Sequence, residues 1–421
     1  MVSRGTTQQS SAPYNRRIVL DVIRRQGSVS RKEIVDAVSL SPQTVVNITR
    51  DLESIGLIVS RKLKGARSRG QPPIAFELNP YGGSSIGISF EPGGASAALV
   101  NLVGDVIRKQ EVEFDVRKER QVLACMLNLV KDLVGGASGE RPWGVGIALP
   151  GPLVGTDISF LGPTTLEGWK DLTILDELQD LTGLHVNYSV DSVAGALGEA
   201  LFGVAKGLDN FYYLNLSAGL GGVLVVNRSA YKGANGNATE VGHIPVVPDG
   251  KPCYCGNRGC LERYLSLHSL SEELGVRDLH IVDLPGHGRE TLARMLAAGD
   301  APLLAWCRQA AERLRDAICI IENTLDPRTI VIGGSAPKVL VEHLVMLAQP
   351  LHKSVRGGVA QPGERILLSE RQEDSSILGA AVLPIYDMLS PRFEVLLKDR
   401  RRDVKVAGLL GQKMSNRAER L

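Results

Sequence analysis

The 421 residues are 43% hydrophobic and 22% charged, the balance of a soluble globular protein with room for two or three domains. No apolar run approaches the ~20 residues that cross a bilayer, and the first ten residues hold no apolar signal core, so the expected compartment is the cytoplasm, with reduced thiols. The net charge of +2 is unevenly spread: residues 1–79 carry 13 Lys and Arg against 6 Asp and Glu, and the rest 35 against 40. A basic first segment on a mildly acidic body suits nucleic-acid contact through that segment alone.

Residues 1–13 are polar and are expected to be disordered. Tyr14 to Gln26 has one apolar face, from Ile18, Val19, Val22 and Ile23, and Gly27 ends the helix. Ser30-Arg-Lys-Glu33 is a capping box for a second helix through Val38. Ser41 caps a third helix with Pro42 at its first position. That helix turns Val45, Ile48 and Leu52 inward and Gln43, Thr44, Asn47 and Arg50 outward. A basic loop from Arg61 to Gln71 and a strand from Ile74 to Leu78 follow. Three short helices and a two-stranded hairpin make a winged helix-turn-helix, expected over residues 14–80. Its third helix is rich in amides and hydroxyls, the groups that read base edges in the major groove of operator DNA. Ser41, Gln43, Thr44, Asn47 and Arg50 are the candidate contacts there. Lys62, Lys64, Arg67 and Arg69 of the wing suit phosphates or a minor groove. A helical protein–protein module with a solvated loop is the plainer alternative.

From Ile86 the pattern changes to strands: Ile86–Phe90, Ala95–Leu102 and Val106–Asp115 read as a meander. A helix is expected from Gln121 to Val134, a buried strand at Gly144–Leu149 ending in Pro150-Gly151-Pro152, then a helix at Leu175–Thr182 and a strand at His185–Tyr188. A small-residue helix runs from Ser192 to Phe202, and Phe211–Leu216 and Gly222–Val226 make a hairpin. Helices dominate from Leu261 to Asn323, a strand lies at Thr329–Ile332, and a last helix spans Ile377–Met388. Periodicity gives an α/β fold and no more. Cys125, Cys307 and Cys319 sit in apolar helical patterns and are expected in the core, and 391–421 is expected to be a charged, frayed tail.

The densest chemistry lies at Glu240-Val-Gly-His243 and Cys253-Tyr-Cys255-Gly-Asn-Arg-Gly-Cys260-Leu-Glu262. Three thiolates and an imidazole are a tetrahedral set suited to Zn²⁺, and a closed Cys₃His site is structural. A Cys253–Cys255 disulfide would close a strained loop. Ordinary buried thiols beside a core histidine are the bland alternative. A metal here would pin Glu240 and Glu262, and paired carboxylates suit the vicinal hydroxyls of a sugar. Solvated surface glutamates are the alternative at those two positions.

Glu-x-Gly-His followed by Cys-x-Cys-Gly-x-x-Gly-Cys-x-Glu resembles the signature of the ROK family of repressors, open reading frames and kinases, and the similarity runs from about Ser84 to Leu389. The family comprises bacterial sugar kinases and sugar-responsive repressors with an added DNA-binding domain. The resemblance implies a duplicated actin-like (sugar kinase/ATPase) fold over 84–390 and a homodimer or homotetramer. It also implies a sugar site made by Gly151, Asp191, Glu240, His243 and Glu262, with His243, Cys253, Cys255 and Cys260 as the metal set. The N-terminal stretch resembles the DNA-binding domain of the family's repressors, with Gly70-Gln71-Pro72 where Gly-Arg-Pro is usual. Val190 and Val193 stand where the family carries asparagines. On the phosphate side, Ser89 falls where a kinase has aspartate, Pro92 intrudes, and Ser217-Ala-Gly-Leu-Gly221 lacks the usual threonine, although Gly333-Gly334 remains. Phosphoryl transfer leans on those groups. The expected function is therefore a cytoplasmic bacterial repressor that responds to a sugar or sugar phosphate. A sugar kinase, or a repressor governed by a protein partner, is the alternative.

Overall fold

A computed structural model describes residues 8–62, 74–91, 94–114, 119–135, 141–151, 153–154, 157–158, 172–275, 287–355 and 364–390. The chain divides into two compact units. The first holds residues up to Ser84, with 101–105 and the chain from Pro384 onward. The second holds Ser85–Val100 and Val106–Leu383.

The first unit contains α1 (Gln8–Gln26), β1 (Val29–Ser30), α2 (Arg31–Ala37), α3 (Pro42–Ser54), β2 (Ile58–Lys62) and β3 (Ile74–Leu78). Both expected caps form: Ser30 and Glu33 bond reciprocally, and the Ser41 hydroxyl accepts from the Thr44 N–H. Val45, Ile48 and Leu52 are buried, with Val19, Ile23, Ile34 and Phe76 completing the core. Arg31 lies over the Phe76 ring and donates to Thr49 Oγ1. Two expectations are corrected. Residues 8–13 are helical, not disordered, although Pro13 removes one intrahelical hydrogen bond. The sheet has three strands in the order β1-β3-β2, not two, because Val29 and Ser30 pair with Phe76 and Ala75. A two-residue strand leaves no alternation to detect.

The second unit begins with β4 (Ser84–Glu91), β5 (Gly94–Asn101), β6 (Val106–Glu113), α4 (Glu119–Gly135), β7 (Gly144–Leu149), β8 (Leu153–Val154), β9 (Asp157–Ile158), α5 (Thr173–Thr182), β10 (His185–Val190) and α6 (Asp191–Phe202). It continues with β11 (Phe211–Leu216), β12 (Leu220–Val226), β13 (Ser229–Ala230), α7 (Leu267–Glu273), α8 (His287–Ala298), α9 (Ala301–Leu325), β14 (Ile330–Gly333), α10 (Lys338–Leu347), β15 (Ile366–Leu368) and α11 (Ser375–Leu389). One sheet has the order β10-β7-β4-β5-β6, the other β13-β12-β11-β14-β15. Reversed, the second order matches the first strand for strand: a meander, then two parallel strands added beside its first strand. This is the duplicated α/β fold. α4 and α5 cover the first sheet with Val122, Met126, Leu129, Leu175 and Leu178. α7, α9 and α10 bury Leu270, Trp306, Leu314, Ile318 and Leu340 against the second. α6 and α11 cross so closely that a Cβ added at Gly379 would fall 2.5 Å from the Ala194 carbonyl carbon, which is why α6 is built of Ala and Gly. Of the three helical cysteines, Cys307 is core, while Cys125 and Cys319 are only half-buried. Among the described residues no helix is long and apolar enough to cross a membrane.

Candidate functional site

The loop after β13 brings the chemistry together. Val241–His243 forms one turn of 3₁₀ helix, and Pro245 bridges Cys260. Pro252 bridges Arg258, and Cys253 N–H donates to Asn257 O, which folds the cysteine segment back on itself. Gly259 has φ +75, and a Cβ there would overlap the Val247 carbonyl oxygen, so no other residue fits.

His243, Cys253, Cys255 and Cys260 offer ligand atoms that all lie within 4.8 Å of one another. Cys255 Sγ is 3.6 Å from Cys260 Sγ, and Cys253 Sγ is 3.5 Å from His243 Nδ1. A tetrahedron with metal–sulfur bonds of about 2.3 Å has edges of roughly 3.8 Å, so this cluster has the dimensions to hold a metal ion. Burial and the adjoining sulfurs push Cys260 up to about 12, a cost that a bound divalent cation would reverse. Because Nδ1 faces the sulfurs, Nε2 lies on the opposite edge of the ring. A single imidazole can therefore serve the cluster and the cleft, the two roles the sequence assigned to His243.

Three carboxylates converge on that cleft. Glu262 Oε2 accepts from the Leu220 N–H at 2.9 Å, while its Oε1 is buried with no hydrogen-bond partner among the described residues. Gly219 allows this approach, since a Cβ there would sit 2.8 Å from Glu262 Oε2. Asp191, the first residue of α6, accepts from the Ser192 N–H at 2.6 Å and from the Asn215 side chain. Burial, and then the Glu262 charge, push Asp191 up to about 6. Burial, and then the charges of Asp191 and Glu262, push Glu240 up to about 7. Acceptors held apart from water and from one another suit several hydroxyl donors. Gly151, at the end of β7, faces Val190 of β10: a Cβ on it would meet Val190 Cγ1 at 2.5 Å. The predicted residues Gly151, Asp191, Glu240, His243 and Glu262 thus lie in one unit, where charge coupling ties the three carboxylates and Glu262 to His243. Asn215 was missed. Its signal is a polar residue inside the buried run Phe-Tyr-Tyr-Leu-Asn-Leu.

Beside the cleft, the Ser217 hydroxyl bonds Asn215 Oδ1 and the Ser335 N–H, and the Ser217 and Ala218 carbonyls accept from Leu267 and His268 at the start of α7. The hydroxyl and these carbonyls of the turn are thus engaged within the protein. Ser89 is buried in β4, opposite Ala148.

On α3, Gln43, Asn47 and Arg50 are exposed, and Gln43 Nε2 donates to Asn47 Oδ1 at 3.1 Å. Thr44 departs from the expected outward display. It is half-buried, with its hydroxyl 2.8 Å from that of Ser41, because a residue at N3 lies beneath the cap. Lys64, Arg67 and Arg69 lie outside the described residues.

The ROK family profile matches residues 86–386. The chain belongs to the ROK family. Among curated ROK relatives, it is 28% identical to the xylose repressor of Caldicellulosiruptor bescii over 393 residues, covering 89% of this chain and 96% of that one. It is 35% identical to the glucokinase of Halalkalibacterium halodurans, but over 57% of this chain and 77% of the relative. Among solved structures, a ROK transcriptional regulator described as a homologue of the E. coli Mlc protein is similar over 92% of this chain and all of its own, with TM-score 0.67 and 26% identity.

Proposed function

We propose that this ROK protein is a sugar-responsive transcriptional repressor of a bacterial cytoplasm. Residues 14–80 grip operator DNA, and the 84–390 region takes a sugar or sugar derivative that alters that grip. One observation carries the sugar reading: Asp191, Glu240 and Glu262 converge beside His243, and Glu262 Oε1 is buried without a donor. The regulatory reading is supported by the reach of the likeness. It covers 89% of the chain for the repressor, but little more than half of it for the glucokinase.

His243, Cys253, Cys255 and Cys260 would hold Zn²⁺, whose role is structural because four protein ligands leave no position open. His243 then keeps Nε2 for a ligand hydroxyl, and Glu240 and Glu262, on either side of the metal loop, are fixed as acceptors. Asp191 accepts a hydroxyl proton's hydrogen bond without transferring the proton, as no phosphoryl donor is engaged. A homodimer or homotetramer places two recognition helices on paired half-sites.

The test is operator binding by full-length protein, followed by fluorescence anisotropy, with D-xylose, hexoses, amino sugars and their phosphates added in turn. D-Xylose comes first because the relative matched along most of its length is a xylose repressor. At least one sugar should shift operator affinity, and Asp191→Asn should abolish the shift while sparing sugar-free binding. ADP release from Mg·ATP with any of these sugars would return the protein to the kinases.

A further inference from the structure

Four helix starts among the described residues are capped by a side-chain oxygen. Ser30, Ser41, Ser266 and Asp300 each accept a first-turn N–H. α6 lacks such a cap, as α5 and α10 do, and its first residue, Asp191, takes the Ser192 N–H instead. Its N-cap is Val190, which makes no side-chain cap bond, and valine is among the poorest cap residues. Val193 stands at N3, the other half of a capping box. Both valines are half-buried. Val190 Cγ1 lies against the Gly151 backbone, in register with Leu149 of β7.

The consequence is a cleft with two kinds of wall. Asp191, Glu240 and Glu262 supply acceptors, with Glu262 Oε1 buried and unpartnered. Val190 supplies methyl groups immediately beside Asp191. A hydroxyl pressed against Val190 would lose water and gain no partner. A C–H or methyl group there would lose nothing. We propose that the effector is a pyranose lacking a hydroxyl on the face it turns toward Val190, with its remaining hydroxyls donated to the three carboxylates. This rests on the sugar reading above and names the class of sugar.

The experiment uses the full chain and isothermal titration with D-glucose, each of its monodeoxy derivatives and D-xylose. The proteins are wild type, Val190→Asn, Val190→Thr and Asp191→Asn. In the wild type, one sugar lacking a group should bind at least as tightly as D-glucose. Val190→Asn should tighten D-glucose about fivefold to tenfold, the yield of one new hydrogen bond, and leave that sugar unimproved. Val190→Thr, close to valine in shape, should move D-glucose in the same direction and keeps the test open if the asparagine variant fails to fold. Equal weakening by every missing hydroxyl in the wild type, or an unchanged ranking in both Val190 variants, overturns the proposal but leaves the sugar site standing. Binding that ignores Asp191→Asn, or no binding of any sugar, removes the sugar site and the proposal together.

Discussion

Asp191 and Glu240 keep their protons up to about pH 6 and 7, because burial and neighbouring carboxylates oppose the charge. In an unfolded chain the same groups titrate near their ordinary values of 3.8 and 4.5. Between those limits the folded state binds more protons than the unfolded one. Stability of the ligand-free protein should therefore fall as pH rises from about 4 to about 7. Asp191→Asn removes one of the opposing charges. It should flatten the decline and stabilise the protein at pH 8 by ~1 kcal/mol, with no gain at pH 4. Thermal melts across that range decide this, and an equal gain at both ends would contradict it. That Glu240, His243 and Glu262 belong to one loop was legible from their motif, while Asp191 entered by resemblance. Asn215 was not legible, since one asparagine in an apolar strand has no partner to pair it with until β11 and α6 meet.

At the scale of the element, α3 was readable to the residue, because Ser41, Pro42 and the 45/48/52 spacing each mark the same helix. Its exposed Gln43 and Asn47 already bond each other, which holds the two amides at a fixed spacing for base edges. Gln43→Ala or Asn47→Ala should relax base preference at one or two operator positions, each by ~1–3 kcal/mol, as selection from randomised operators would reveal. Arg67→Ala with Arg69→Ala should weaken all sequences alike and lower the salt slope by roughly 2. Anisotropy titrations over a range of salt would show an unchanged slope if the wing does not touch phosphate. β1, β15 and α10 escaped the sequence reading. The two strands are two and three residues long, too short for a period to show.

For the whole molecule, the duplication is the governing fact: each half repeats a meander with two added parallel strands. The loop that carries His243 and the three clustered cysteines lies between the second half's hairpin and its helices, so its order bears on both Glu240 and Glu262. Purified protein should carry one zinc per chain by elemental analysis. Cys255→Ser should lose that metal, melt earlier by several degrees and lose the sugar response, because metal binding and local folding are coupled. Metal-free wild type with unchanged melting and sugar response would refute the structural role.

By itself the sequence determined what local chemistry can encode. Capping boxes, the third helix, the meander and the Cys₃His spacing are written in neighbouring residues. The tertiary structure alone decided what depends on residues far apart in the chain. It brought Asp191 into the field of Glu262, set His243 Nδ1 against the Cys253 sulfur, and seated Val190 on Gly151. Those relations follow from strand register and helix crossing. A hydrogen-bonded ladder fixes these only when the partner strand is known.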